Sequence, residues 1–331
     1  LRELRKKSGG FFGSGESTGS VGVVTINGES ISATVTALAD LTAEDADIAA
    51  RAAAIQKEID DDYGTVFAKT EVALNGEKDP GNRTEETNLG DLICDALVWG
   101  AKKNGETVDA AVTNGGGIRA SIAAGNITKK DINTVLPFGN TLGIVKVTGA
   151  ELLEALEAST FALPKSLGGF PQIAGMNISI DATKKYDANA DTYPGSTYHG
   201  PASINRVTIN SVNGKAFDPN KTYAVVTNNF LAAGGDTYYA FAAASGQFDT
   251  GLPLDEVLMD YITTELKGVV GEQYAQPQGR ITITLPAEEP TTPTKPESPK
   301  TADTGVVVYG LVAVMAAGAA VVVTSRKRKA I

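Results

Sequence analysis

Hydrophobic and polar residues alternate with two different periods along this chain, which predicts a mixture of strands and helices. Residues 21–38, VGVVTINGESISATVTAL, alternate β-branched and polar residues around the Asn27-Gly28 pair. This pattern is typical of a β-hairpin. Residues 41–64 instead repeat apolar side chains every three or four positions. We therefore predict an amphipathic helix of about 17 residues after the hairpin.

Strand and helix periods then alternate from Gly64 to Leu285, so the fold class predicted for this unit is α/β, or more loosely a mixed α+β arrangement. A capping box, Thr148 with Glu151, marks the start of one of its helices. Strands are predicted at residues 65–74, 109–114, 141–147, 176–182, 203–210, 222–228 and 279–285, and helices at residues 88–103, 149–160 and 253–266.

The C-terminal residues have a different composition. Residues 286–305 are rich in Pro and Thr and predict an extended linker. Residues 306–323 carry no charge, and their length of 18 residues is the minimum for a transmembrane helix. The basic residues 324–331 would remain cytoplasmic, so the folded part of the chain would lie outside the cell.

Composition excludes several classes of function. The chain has 29 basic and 39 acidic residues, a net charge of −10, and no overall attraction to nucleic acid is expected. The single cysteine, Cys94, lies in an apolar run and is predicted to be a buried, unreactive thiol. The single histidine, His199, lies in a Gly- and Pro-rich stretch. One imidazole does not provide a histidine-rich metal centre or the usual histidine-based catalytic pairs.

Residues 187–198 contain a partial calcium-loop pattern that we reject. Asp187, Asn189 and Asp191 have the spacing of the first ligands. However, Thr192 replaces the required glycine and Tyr198 replaces the bidentate acid. No metal site is therefore predicted in this chain.

Two glycine-rich segments follow predicted strands, and both end in a charged residue. NGGGIR, residues 114–119, follows the strand at 109–114, and NNFLAAGGD, residues 228–236, follows the strand at 222–228. Bare backbone at a strand end lets a ligand approach closely, so we predict that the two segments form two walls of one pocket. Arg119 would supply a fork of donors for phosphate or a ribose hydroxyl. The alternative is that these glycines only form tight turns.

Each half of this predicted pocket also has an aromatic residue nearby. Phe138 lies in LPFGN and Phe230 lies in the second glycine-rich segment. Two rings can hold a flat nucleobase between them. The alternative for each phenylalanine is packing in the core.

Five segments in a fixed order resemble one known family. RTEETNLGDLICDAL, VTNGGGIRASI, VLPFGNTLGIVKVTGAELLEALE, GGFPQIAGMNISID and YAVVTNNFLAAGGDTYYAF look like the successive blocks of the C-terminal, substrate-binding domain of 5′-nucleotidases and of related UDP-sugar hydrolases and 2′,3′-cyclic-nucleotide phosphodiesterases. The resemblance covers about residues 64–285 and implies the layered α/β fold of that domain. It implies a nucleotide or nucleoside ligand that is AMP-like, a UDP-sugar or a cyclic nucleotide.

The resemblance also implies a role for each motif position. Arginines would contact phosphate, aromatic rings would stack on the base, and a carboxylate would accept hydrogen bonds from the ribose hydroxyls. The substrate-binding residues expected on this basis are Arg83 and Arg119 for phosphate, Asn114 for the base edge, Phe138 and Phe230 for stacking, Asp236 for ribose, and Gly116, Gly117 and Gly235 in the glycine-rich turns.

In that family, catalysis belongs to a separate N-terminal metallophosphatase domain with two divalent metal ions. Residues 1–40 resemble the end of such a domain, and residues 41–63 resemble its connecting helix. We therefore expect a fragment with no catalytic residue or cofactor of its own, which binds nucleotide without hydrolysing it.

The C-terminal segments resemble the cell-wall sorting signal of Gram-positive surface proteins. The motif SPKTADTG has Ser298 in place of the usual Leu and Ala302 in place of Gly. This resemblance implies a sortase as partner, with cleavage after Thr301, and the alternative is a plain single-pass membrane anchor. We expect a cell-surface nucleotide phosphohydrolase, and the alternatives are a non-catalytic nucleotide-binding surface module and an adhesin that binds no nucleotide.

Overall fold

The computed structural model describes residues 19–27, 30–37, 40, 45–186 and 204–287. The described residues up to Leu285 belong to one compact unit. The remaining unit, Pro286–Ile331, lies almost entirely outside the described residues, and so do its predicted linker, transmembrane helix and cleavage site at Thr301. His199 and the rejected calcium-loop pattern also lie outside them. Within the described ranges, no helix is both long enough and apolar enough to cross a bilayer.

The described chain contains fourteen strands and seven α-helices, two of which are single turns of four residues. The strands are β1 (Ser20–Asn27), β2 (Ser30–Ala37), β3 (Val66–Thr70), β4 (Ala110–Asn114), β5 (Gly125–Thr128), β6 (Thr141–Thr148), β7 (Pro171–Ala174), β8 (Met176–Asp181), β9 (Val207–Val212), β10 (Lys215–Ala216), β11 (Thr222–Asn228), β12 (Gly246–Pro253), β13 (Val269–Val270) and β14 (Ile281–Thr284). The helices are α1 (Ala46–Tyr63), α2 (Asn88–Lys103), α3 (Lys129–Val135), α4 (Gly149–Thr160), α5 (Asn229–Ala232), α6 (Tyr239–Ala242) and α7 (Leu254–Asp260).

The predicted hairpin and the helix after it are both present. Strands β1 and β2 pair antiparallel, with Asn27 opposite Ser30. Helix α1 begins after Asp45, whose carboxylate accepts hydrogen bonds from two backbone amides of the first turn. The side chains of Ile48 and Ile55, on the predicted apolar face of this helix, are 68% and 55% exposed. The amphipathic pattern therefore predicts the helix correctly. Its apolar face, however, is not buried against other described residues.

A five-stranded mixed sheet forms the centre of the fold, with the strand order β12-β6-β11-β4-β7. Strands β4 and β11 are parallel neighbours, and the other pairs in this sheet are antiparallel. Both faces of the sheet are buried, because successive side chains of a strand point to opposite faces and both sets are apolar. On β4, for example, Ala110 and Val112 belong to one core cluster and Ala111 to another.

Different layers cover the two faces. The first core cluster joins the central sheet to α4 and to a four-stranded sheet with the order β10-β9-β8-β14. The second joins the opposite face to α2 and α7. The other side of α2 packs in a further cluster with a three-stranded sheet of order β13-β3-β5. The layered, mixed α/β class predicted from the sequence is confirmed.

Several element boundaries agree with the prediction and others differ. Helices α2 and α4 occupy the predicted residues, and the capping box of Thr148 and Glu151 is formed. The strand predicted at 65–74 ends at Thr70, where the Thr70 hydroxyl donates to the carbonyl of Val72 and turns the chain. The helix predicted at 253–266 is α-helical only over α7 and continues as a π-helical turn, Tyr261–Glu265.

Candidate functional site

The candidate site lies at the edge of the central sheet where two parallel strands end. Strand β4 ends at Asn114 and β11 ends at Asn228, and the register pairs Val225 with Ala110. Because the strands are parallel neighbours, their carboxyl ends meet at one edge, which is where open α/β sheets usually bind ligands. The two glycine-rich segments are therefore adjacent in space, although about 110 residues separate them along the chain.

The first glycine-rich segment is bare because the backbone of other segments approaches it closely. Gly115–Gly117 form one turn of 3-10 helix. A Cβ atom on Gly115 would lie only 1.8 Å from the carbonyl oxygen of Asn82. The amides of Gly115 and Gly116 donate to the carbonyls of Phe170 and Gly168, both at 2.7 Å. These two amides are thus used within the protein and are not free to bind a ligand.

The second glycine-rich segment forms the opposite wall. Asn228 caps the short helix α5 through a hydrogen bond of 2.8 Å from the amide of Leu231. The chain then turns back, and Asp236 adopts a left-handed conformation with φ of 52°. A Cβ atom on Gly235 would lie 2.5 Å from two ring carbons of Phe230. The Phe230 ring therefore lies directly against Gly235, with no room for a side chain between them.

Between these walls lies a pocket of about 390 Å³. Its lining combines cationic, amide, aromatic and carboxylate side chains with bare backbone. The lining residues are Arg83, Asn114, Gly116, Gly117, Arg119, Phe138, Asn140, Gly168, Phe230 and Asp236. Eight of the nine substrate-binding residues predicted from the sequence line this pocket, and the ninth, Gly235, does not.

Two phenylalanine rings of the pocket are exposed. Phe138 is 57% exposed and Phe230 is 45% exposed, so neither is a core residue. The Arg119 guanidinium lies 5.6 Å from the centroid of the Phe138 ring, and its Nη1 donates to the carbonyl of Gly116 at 3.2 Å. Exposed aromatic faces beside a cation can take a planar ligand that carries an anionic group.

The pocket lining also contains a partly buried carboxylate, that of Asp236. The side-chain amide of Asn114 donates to Oδ2 of Asp236 at 2.7 Å. Burial raises the pKa of the Asp236 carboxyl, while the Asn114 hydrogen bond and the charge of Arg83 act in the opposite direction. A carboxylate held in this way can accept hydrogen bonds from hydroxyl groups.

Some pocket residues were not predicted, and one predicted residue already has hydrogen-bond partners within the protein. Asn140 and Gly168 also line the pocket. Asn140 lies two residues after Phe138, so the LPFGN motif could have indicated it, but Gly168 had no sequence signal. The Asn114 amide, predicted to meet a base edge, is 5% exposed and bonds to Asp236 and Asn228.

Other candidate chemistry is not present in the described chain. Cys94 is fully buried, as predicted, and burial raises the pKa of its thiol well above the usual value. Within the ranges that the structure describes, no group of three or more His, Cys, Asp and Glu side chains could hold a metal ion.

Comparison with known proteins identifies the family. Residues 66–243 match the model of the 5′-nucleotidase C-terminal domain, and the chain belongs to this family. Among curated relatives, it is 36% identical over 237 residues to the trifunctional nucleotide phosphoesterase protein YfkN of Bacillus subtilis, a match that covers 71% of this chain and 15% of YfkN. It is 33% identical over 196 residues to protein UshA of Escherichia coli, covering 59% of this chain and 30% of UshA.

Solved structures also resemble this fold. The 5′-nucleotidase precursor from Thermus thermophilus superposes with a TM-score of 0.60 at 33% identity. The match covers 79% of this chain and 47% of the Thermus protein. The chain therefore spans less than half the length of each of these three relatives.

Proposed function

We propose that this chain is the substrate-recognition part of a cell-surface 5′-nucleotidase-like phosphohydrolase that acts on extracellular nucleotides. The observation that carries the proposal is the pocket itself, which combines two exposed phenylalanine rings, two arginines and a partly buried carboxylate in a member of the 5′-nucleotidase C-terminal domain family. A nucleotide offers the complementary groups, namely a flat base, a phosphate and a ribose diol.

The proposed roles follow the chemistry of each group. Phe138 and Phe230 stack on the base, since aromatic stacking accepts any base through its π face. Arg83 and Arg119 bind the phosphate side through charged hydrogen bonds. Asp236 accepts hydrogen bonds from the ribose hydroxyls. The ligand class is an AMP-like nucleotide or nucleoside, and UDP-sugars and cyclic nucleotides offer the same base and ribose.

Hydrolysis in the whole protein is proposed to depend on two divalent metal ions outside the described residues. The described residues offer no metal site, so their part in the reaction is to bind and orient the nucleotide. Metal ions supplied elsewhere would activate water and stabilise charge on the phosphoryl group.

The proposed location is the outer surface of a Gram-positive cell, held by a membrane or cell-wall anchor. The support is the sequence of residues 286–331, in which a Pro- and Thr-rich segment precedes an uncharged segment and a basic tail. Mass spectrometry of surface material would test it. A chain that ends at Thr301 supports sortase cleavage, and an intact chain in the membrane fraction supports a plain anchor.

Calorimetric titration of AMP and adenosine into the full chain tests nucleotide binding. We expect Arg119→Ala to weaken AMP binding by about 1.5–3 kcal/mol, the usual contribution of a hydrogen bond to a charged group. Phe230→Ala should weaken both ligands by about 1–3 kcal/mol through lost stacking.

Matched controls separate binding from general effects of substitution. Phe248 is 52% exposed on the outer strand β12, away from the pocket lining, and Phe248→Ala should leave both affinities unchanged. Arg51→Ala, on the exposed helix α1, is the control for Arg119. If AMP, adenosine and a UDP-sugar all fail to bind the folded chain, the proposal is wrong, and the adhesin hypothesis takes its place.

A further inference from the structure

Three side chains, two in the pocket lining and one behind it, form a continuous chain of hydrogen bonds. Asn228 Nδ2 donates to Asn114 Oδ1 at 3.1 Å and to Thr113 Oγ1 at 3.2 Å. Asn114 Nδ2 then donates to Asp236 Oδ2 at 2.7 Å. Asn228 is 1% exposed and does not line the pocket, so it cannot contact a ligand there. Its effect on a ligand would pass through Asn114 and Asp236, or through helix α5, which it caps and which carries Phe230.

A backbone amide fixes the direction of this chain. The amide of Leu231 can only donate, and it donates to Asn228 Oδ1 at 2.8 Å. Asn228 must therefore turn its NH₂ group toward Asn114. Asn114 in turn must accept with its oxygen and direct its own NH₂ group at Asp236. The two amide orientations follow from this fixed donor.

We propose that Asn228 is a positioning residue that sets the selectivity of the pocket for ribose over sugars without 2′- and 3′-hydroxyl groups. The inference rests on the proposed function, in which Asp236 accepts hydrogen bonds from the ribose diol. Asn228 orients the Asn114 amide so that its NH₂ group donates a hydrogen bond to Asp236. The carboxylate is thereby held in one orientation and kept as an acceptor toward the ligand.

The backbone of Asp236 makes this support necessary. Its φ of 52° lies in the left-handed region that non-glycine residues rarely adopt. Such a conformation persists only when surrounding contacts enforce it. Asp236 lies in the turn after α5, on the second wall of the pocket. The short hydrogen bond from Asn114 connects it to the end of β4, on the first wall.

Asn228 also has an ordinary structural role, because it caps α5 and links β4 to β11. Asn228→Asp separates the two roles. The aspartate has nearly the same shape, and it still accepts the Leu231 amide as a cap. However, in its ionised form it offers an acceptor where Asn114 needs a donor. Asn114 must then rotate its amide and turn its oxygen toward Asp236, which removes the donor and repels the carboxylate.

The experiment measures adenosine and 2′,3′-dideoxyadenosine binding to the full chain by calorimetry. In the wild type we expect adenosine to bind about 10- to 100-fold more tightly, as for hydrogen bonds to a charged acceptor. In Asn228→Asp this ratio should fall at least about fivefold, while dideoxyadenosine binding, which depends on stacking, stays within about twofold of the wild type. Asn220→Asp, an exposed change of the same charge at the other end of β11, should keep the wild-type ratio.

The outcomes distinguish the two proposals. If the wild type binds neither nucleoside, the proposed function is wrong. If the wild type discriminates and Asn228→Asp discriminates equally well, the positioning role is wrong and the proposed function stands. Should Asn228→Asp fail to fold, Asn228→Ser replaces it, since serine also caps a helix but is too short to reach Asn114. In the serine variant the ratio of adenosine affinity to dideoxyadenosine affinity should also fall at least about fivefold. An unchanged ratio would overturn the inference.

Discussion

At the scale of single residues, the pocket depends on Gly235 because glycine has no Cβ atom. Any side chain at this position would meet the Phe230 ring. We predict that Gly235→Ala displaces the ring and weakens adenosine binding by about 1–3 kcal/mol, similar to Phe230→Ala. The free energy of unfolding should change little, because the Phe230 ring is already 45% exposed.

Calorimetry and urea unfolding together check this prediction. Gly246→Ala is the matched control, since an added Cβ there makes only ordinary contact with the Lys146 side chain, at 3.5 Å. An alanine at residue 235 that leaves adenosine affinity unchanged would show that the ring position does not matter for binding.

A second residue-scale effect concerns a buried acid outside the pocket. Asp91 is fully buried, and burial raises the pKa of its carboxyl to about 7, although the charge of Arg280 acts in the opposite direction. Oδ1 of Asp91 lies 3.4 Å from the Arg280 guanidinium, and Oδ2 accepts the amide of Gln278. The nearby carboxylate of Glu86 raises the Asp91 pKa further.

The sign of the pH effect follows from the raised pKa. The folded state binds the Asp91 proton more tightly than the unfolded state, so the contribution of Asp91 to stability is greatest below the ordinary pKa of 3.8 and is lost as the pH rises to about 7. Asp91→Asn keeps an acceptor for Gln278 and cannot ionise. Urea unfolding should show that the free energy of unfolding of the wild type declines from pH 4 to pH 8. In the variant this decline should be smaller by about 2–4 kcal/mol. Parallel curves would contradict the prediction.

At the scale of elements, one carboxylate joins helix α4 to the start of strand β9. Glu157 is 3% exposed, and its carboxylate accepts backbone amides from Ile204, Asn205, Arg206 and Val207. In Glu157→Gln one oxygen becomes an NH₂ group that faces these donors. We predict a loss of about 2–4 kcal/mol in the free energy of unfolding.

Glu151→Gln, on the same helix, is the control for this substitution. Glutamine serves equally well in a capping box, so the change in stability should stay under about 0.5 kcal/mol. Urea unfolding measures both variants. An equal, small loss in both would mean that the amides of residues 204–207 find other acceptors.

Elements also show what the sequence could predict. Helices α2 and α4 were located because each has a capping residue and a long apolar period. Strands β5 and β7 have four residues each, too few to show a period, and β13 has two. Their positions depend on pairing with distant strands.

The site shows the same division between local and distant information. Motif residues such as Arg119, Phe138 and Asp236 could be assigned to one pocket, and they all line it. Gly168 could not, because it reaches the pocket only through pairing of its segment with the glycine turn. The role of Asn228 was also hidden, since it depends on the β4 side chains next to it.

At the scale of the whole molecule, the three hydrophobic cores begin at Phe67 and contain none of the described residues of the hairpin or of α1. The hairpin leaves Val24, Ile31 and Val35 more than half exposed. A side-chain link from α1 to the rest of the fold is the ion pair of Asp60 and Lys130, at 2.8 Å and half exposed. Such surface pairs contribute at most about 1 kcal/mol.

The parallel pairing of β4 and β11 also constrains when the pocket can exist. The two strands are separated by more than 100 residues, and pairings between such distant parts of a chain form slowly. During synthesis from the N-terminus, a ribosome-bound chain that has not yet released Asp236 holds only one wall of the pocket. Ligand capture by a nascent chain would therefore report the pairing of β11 with β4, and intermediates formed before that pairing would not bind the ligand.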